Sequence, residues 1–151
     1  MDSQDRSKVQ VIDVADGTLS LTDAMDFVTD DEFGGYDIFV GKIRAHNHGR
    51  QVVGITYDVF DELALNNFQA TADRILREFG PLAKVYLAHA KGRLEIGGTA
   101  VIVAVGTKHR DEAFRACRQG IEAVKHESPI WKQEHYVDGD SGWSEGCSLC
   151  D

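Results

Sequence analysis

The stretch from Lys84 to Thr107 reads KVYLAHAKGRLEIGGTAVIVAVGT. Residues 84–92 and 99–107 are two short apolar runs, and RLEIGG joins them. The second run is apolar at almost every position, as a central strand covered on both faces would be. These two strands set the frame, and the rest of the chain is read outward from them. After Thr107 a helix is predicted over about 109–126. Phe114, Cys117, Ile121 and Val124 form its inner stripe at helical spacing. Pro129 stops any continuation, because proline removes a donor and restricts the residue before it. IWKQEHYV (130–137) reads as a last strand, with DGDSG as a turn beyond it.

On the other side of the frame, a helix is predicted over about 61–79. Phe68, Ala72, Ile75, Leu76 and Phe79 share one face, and Gly80-Pro81 ends it. GGYDIFVGKIR (34–44) and VVGITYDVF (52–60) read as strands around a polar loop, AHNHGRQ, so 36–60 is expected to be a hairpin with a long connection. SLTDAMDFV (20–28) reads as a short helix capped by Ser20 or Thr22, and VQVIDV (9–14) as the first strand. Helices and strands alternate while hairpins intrude. The expected class is α+β, two layers with a mostly antiparallel sheet.

The totals bound the function. At 151 residues the chain is one domain's worth and can bury a real core. Sixteen Lys and Arg against 25 Asp and Glu give a net charge of −9, which argues against general nucleic-acid binding. A small anionic ligand needs only a local cluster of cations and is not excluded. No stretch approaches the roughly 20 apolar residues needed to span a bilayer, and the first ten residues lack the apolar core of a signal peptide. A cytoplasmic protein is expected. Three cysteines, Cys117, Cys147 and Cys150, do not suggest a disulfide framework. Residues 1–143 are expected to form a single catalytic domain and 144–151 a mobile tail.

Four segments could carry chemistry. KHESPIWKQE (125–134) holds two lysines seven residues apart. Strand alternation puts Ile130, Lys132, Glu134 and Tyr136 on one face, and a lysine beside apolar atoms becomes a better base or nucleophile. The plainer reading makes Lys125 a cation at a helix end and Lys132 a solvated strand residue. GTKHRDEAF (106–114) places His109 and Arg110 at a helix start, where free N–H groups attract anions; the alternative is two exposed side chains at an ordinary start. VGKIRAHNHGRQ (40–51) puts Lys42 and Arg44 on one strand face; His46 and His48 lack a matching zinc-spaced pair. CSLC (147–150) reads as an inert or accessory tail, with half of a shared zinc site or a redox pair as the other readings. No GxSxG elbow is present, and Cys117 reads as core.

Taken together, FVGKIRAHNHG, GTKHRDEAF and VKHESPIWKQE resemble, in order and residue type, the large catalytic subunit of molybdopterin synthase. The resemblance runs from about Gly34 to Trp143. It implies an α/β hammerhead-like fold and a sulfurtransferase of molybdenum cofactor biosynthesis. Such an enzyme makes the dithiolene of molybdopterin from cyclic pyranopterin monophosphate. It implies sulfur delivered by a thiocarboxylate on the C-terminal Gly-Gly of a small ubiquitin-like subunit, and a homodimer at the centre of a heterotetramer. By resemblance, Lys125 and Lys132 are catalytic, and Lys42, Ile43, Arg44, His109, Arg110, Gln133 and Glu134 bind substrate. No metal and no cofactor is implied. The acidic C-terminal tail departs from the family's more basic end. The competing expectation is a non-catalytic adaptor that binds a ubiquitin-like tail.

Overall fold

The computed structural model describes residues 5–143. In chain order the elements are β1 (Ser7–Asp13), α1 (Leu21–Val28), β2 (Gly35–Lys42), β3 (His46–Asn47), β4 (Arg50–Val59), α2 (Asp61–Phe79), β5 (Lys84–Glu95), β6 (Thr99–Thr107), α3 (Arg110–Glu127), β7 (Ile130–Tyr136) and β8 (Ser141–Trp143). The expected tail over 144–151, with Cys147 and Cys150, lies outside the described residues.

The opening stretch forms the antiparallel pair β5–β6, with Lys84 opposite Gly106 and His89 opposite Val101. The sheet order is β2-β6-β5-β4-β7-β8, with β1 on β5 and β3 on β4. Among the described residues only β1 pairs in parallel, Ser7 with Val85 through Asp13 with Lys91. Strand β5 changes neighbours along its length. Its residues 85–91 pair with β1, and Gly92 to Glu95 pair with β4. The change falls at Gly92, whose φ is +104° and whose Cβ, if it had one, would stand 2.7 Å from Val14 Cγ2. Both the left-handed backbone and the close approach require glycine there.

Alternation along β5 and β6 builds two apolar layers. Val85, Leu87, Val103 and Val105 face one way, against Phe68, Ala72 and Ile75 of α2 and Cys117, Ile121 and Val124 of α3. Tyr86, Ala88, Ile102 and Ala104 face the other way, against Ala24 and Val28 of α1. Helix α1 is capped by Ser20, whose Oγ accepts from the Asp23 N–H at 3.1 Å. The fold is α+β with a mostly antiparallel sheet, as the sequence implies. No helix among the described residues is long and apolar enough to cross a membrane.

Three local expectations are corrected. Strands β2 and β4 do not form a hairpin; β2 pairs with β6, Gly35 opposite Thr107. The apolar β6 needs partners on both edges, and β2 supplies the second. The hairpin in this region is the small β3–β4 unit, closed by His48 and Gly49 with φ of 50° and 77°. Strand β7 is not the last, because β8 pairs with it, Gln133 opposite Trp143. Phe114 is 56% exposed rather than core. The inward line of α3 centres on Ala113, Ala116 and Gly120, which leaves Phe114 at its rim.

Candidate active site

Strand β7 delivers the most unusual pair of side chains. Antiparallel register sets Lys132 opposite Tyr57 and Glu134 opposite Ile55 on β4. By alternation these four face the same way, into a cavity of about 300 Å³. Lys132 and Glu134 are only 7% and 5% exposed. Charged residues are almost never buried unless paired, and here Lys132 Nζ stands 3.9 Å from Glu134 Oε1. The solvated reading of Lys132 is thereby overturned. Lys125, half-buried in the last turn of α3, lines the same cavity from the helix side. The end of β2 and the residues after it add Lys42, Ile43 and Arg44.

Among the described residues, four cations (Lys42, Arg44, Lys125, Lys132) and one carboxylate (Glu134) line the cavity. This is a locally positive site in a chain of net charge −9. Its remaining polar wall is neutral. Tyr57 and His89 pack edge to face, ring centroids 4.8 Å apart. Burial, with the nearby Glu134 charge as the smaller cause, pushes the Tyr57 phenol up to about 12. Burial pushes the His89 imidazole down to about 4, against a smaller opposing effect of its hydrogen bond with the Ala90 carbonyl. That bond, 2.7 Å long, uses Nδ1 as donor to the carbonyl oxygen.

Glu134 is held from two further sides. Asn47 Nδ2 donates to Oε1, and the Tyr136 hydroxyl donates to Oε2 at 2.8 Å. Arg44 Nη2 in turn donates to Asn47 Oδ1 at 3.0 Å. Arg50 lies 3.6 Å over the Tyr136 ring and is clamped by Asp138 and Asp140 at 3.1 and 3.3 Å. The Tyr136 hydroxyl is shifted upward, first by its bond to Glu134.

The structure does not bring every expected residue here. Gln133 alternates to the opposite face of β7, where its amide donates to Ser141 Oγ at 3.0 Å; its side chain does not line the cavity. His109 and Arg110 are exposed at the start of α3, beside Gly35, where a Cβ would meet the His109 carbonyl carbon at 2.7 Å. Fifteen residues of helix separate Arg110 from Lys125, roughly 22 Å along the axis. Within one chain the His-Arg pair and Lys125 therefore occupy opposite ends of α3. Asn47, Tyr57 and His89 were not singled out by sequence. A histidine inside the apolar run KVYLAHA was an available signal; nothing marked the other two. No group of three or more His, Cys, Asp or Glu among the described residues could hold a metal ion.

Fold and cavity define a class: an α+β protein with a cavity lined by three lysines, an arginine and a bonded carboxylate. Residues 14–127 match the family model described as MoaE protein. The chain belongs to that family. It is 42% identical over 139 residues to the molybdopterin synthase catalytic subunit of Synechococcus elongatus, covering 92% of this chain and 84% of that protein. It is 34% identical to the subunit of the same name from Pyrococcus abyssi, over 93% of each. The crystal structure of molybdopterin synthase from Staphylococcus aureus superposes with a TM-score of 0.82 at 27% identity, covering 91% of this chain and 96% of that one.

Proposed function

We propose that this chain is the catalytic subunit of molybdopterin synthase, acting as a sulfurtransferase on cyclic pyranopterin monophosphate in the cytoplasm. Residues 1–143 are its single catalytic domain. The observation that carries the reading is the convergence of Lys125 and Lys132 with Lys42 and Arg44 around one buried carboxylate. The substrate's phosphate is an anion that Arg44 and Lys42 suit, arginine by paired hydrogen bonds. The sulfur donor is a thiocarboxylate at the C-terminus of a small ubiquitin-like subunit. Its sulfur bonds to a pterin side-chain carbon as the oxygen substituent on that carbon breaks away and takes up a proton. The acyl–sulfur bond then breaks to water, and the donor leaves as a carboxylate. Charge develops on the acyl oxygen during that break, and a lysine ammonium in a water-poor pocket stabilises it. The second lysine moves the protons. Ile43 packs the pocket wall beside these cations.

His109 and Arg110 enter this reading through the homodimer. About 22 Å of α3 separates them from Lys125, so they serve substrate in the pocket of a second copy. The names of the relatives, catalytic subunit, support a companion subunit.

The test is reconstitution. The purified chain is mixed with a thiocarboxylated small subunit and cyclic pyranopterin monophosphate, and dithiolene-containing product is assayed. Product that needs both components supports the enzyme. A stable complex without product supports the adaptor, and neither complex nor product overturns both readings.

A further inference from the structure

The buried carboxylate and the cavity-lining arginine, Glu134 and Arg44, are joined by one neutral side chain. Asn47 sits on the two-residue strand β3 and is 9% exposed, while its neighbours His46 and His48 are exposed. The tight His48–Gly49 turn, both residues with positive φ, points it inward. Its orientation is chemically fixed. A guanidinium only donates, so Oδ1 must face Arg44; a carboxylate accepts, so Nδ2 must face Glu134.

Resting on the function proposed above, we propose that Asn47 is a positioning residue: a neutral bridge that keeps Arg44 and Glu134 from pairing directly. An arginine and a carboxylate bonded to the same amide would, without it, be free to form a strong two-point pair. Such a pair would cancel the Arg44 charge needed for an anionic substrate, and would draw Glu134 away from Lys132. The amide satisfies both ions without neutralising either. The far oxygen of Glu134 is held by Tyr136 under the Arg50 clamp, so the carboxylate is fixed on both sides. Glu134 can then stay beside Lys132 while Arg44 remains directed into the cavity.

The test uses Asn47→Ala and Asn47→Asp in the full chain, each checked by thermal melting. Inorganic phosphate binding, measured by calorimetry, reads Arg44 without any need for turnover. Asn47→Ala should weaken it about tenfold, the scale of one lost charge-assisted bond. Asn47→Asp sets two carboxylates together, and one of such a pair takes up a proton unusually readily. At pH 8 this variant should make product about tenfold more slowly than wild type. As pH falls to 5.5 the shared proton restores a donor toward Glu134, so the ratio of variant to wild type should climb. A bridge of merely structural value would lower the melting temperature and leave phosphate affinity and the pH ratio unchanged. That result overturns the proposal, as would wild-type phosphate binding by Asn47→Ala. Absence of product from the wild-type chain itself overturns the proposed function instead, while the phosphate arm still decides the bridge.

Discussion

Replacing His89 by Gln should change how stability depends on pH. His89 is 2% exposed, and burial pushes its imidazole down to about 4 in the folded chain. In the unfolded chain the ordinary value is about 6.5. As pH falls through 6.5 the unfolded state takes up a proton that the folded state refuses. The unfolded state then binds more protons, so stability drops with falling pH, and the loss levels off below about 4. Between pH 7.5 and pH 5 about one and a half units of that window are crossed, at about 1.4 kcal/mol each. The wild-type chain should therefore lose about 2 kcal/mol more than His89→Gln over this interval. Against a typical total of about 5–15 kcal/mol, that is a large share. Urea unfolding at the two pH values measures it, as an extra midpoint shift of about 1 M for a slope near 2 kcal/mol/M. Groups common to both proteins, such as Asp30 and Asp138, cancel in the subtraction. Equal losses in the two proteins would refute the reasoning, because they would mean that His89 is protonated as easily folded as unfolded.

Lys132→Ala should abolish product formation in the reconstituted assay, a loss of at least about a hundredfold, with a lowered melting temperature but a folded chain by circular dichroism. Glu134 would keep its bonds from Asn47 and Tyr136, which offset part of the cost of losing the Lys132 charge beside it. Gly35→Ala should lower the melting temperature by about 5–10 °C, since the new Cβ would lie 2.7–2.9 Å from backbone atoms of His109 and Arg110. Cys117, 2% exposed with its thiol pushed up to about 12 by burial, should resist iodoacetamide at pH 8 in the folded chain and react fully in urea, as read by peptide mapping.

The features legible in the sequence are those that the backbone itself dictates. Helix α2 spans the residues its periodicity predicts, and the shared face of Ile130, Lys132, Glu134 and Tyr136 follows from the two-residue repeat of any strand. Pairing was not legible. Whether β2 meets β4 or β6 depends on which edge the apolar β6 leaves open, a long-range fact that no local pattern carries. The burial of Lys132 was hidden for the same reason: only the register with β4 turns its face toward a cavity rather than solvent.

The position of His109 and Arg110 is a different case, because the sequence contained the answer. A helix over 109–126 puts Lys125 fifteen residues after Arg110, and each residue of helix advances about 1.5 Å. Two groups at opposite ends of one rigid α3 cannot close on one small substrate from the same chain. Strand β2 measures the same gap independently. Gly35 lies against His109 and Lys42 lines the cavity, so seven strand residues of about 3.3 Å each separate the two sites. The two rulers agree at roughly 22–23 Å. Motif order along a chain suggests a shared task, but rigid elements between the motifs set whether one copy can perform it. In the proposed assembly the lysines of one chain and the His-Arg pair of another would meet at the dimer. Mixing Lys132→Ala chains with Arg110→Ala chains should then restore part of the activity that each variant lacks alone, since one pocket of the mixed dimer would be intact. No gain on mixing would mean that one chain supplies both residues to its own pocket, or would take Arg110 out of the reaction.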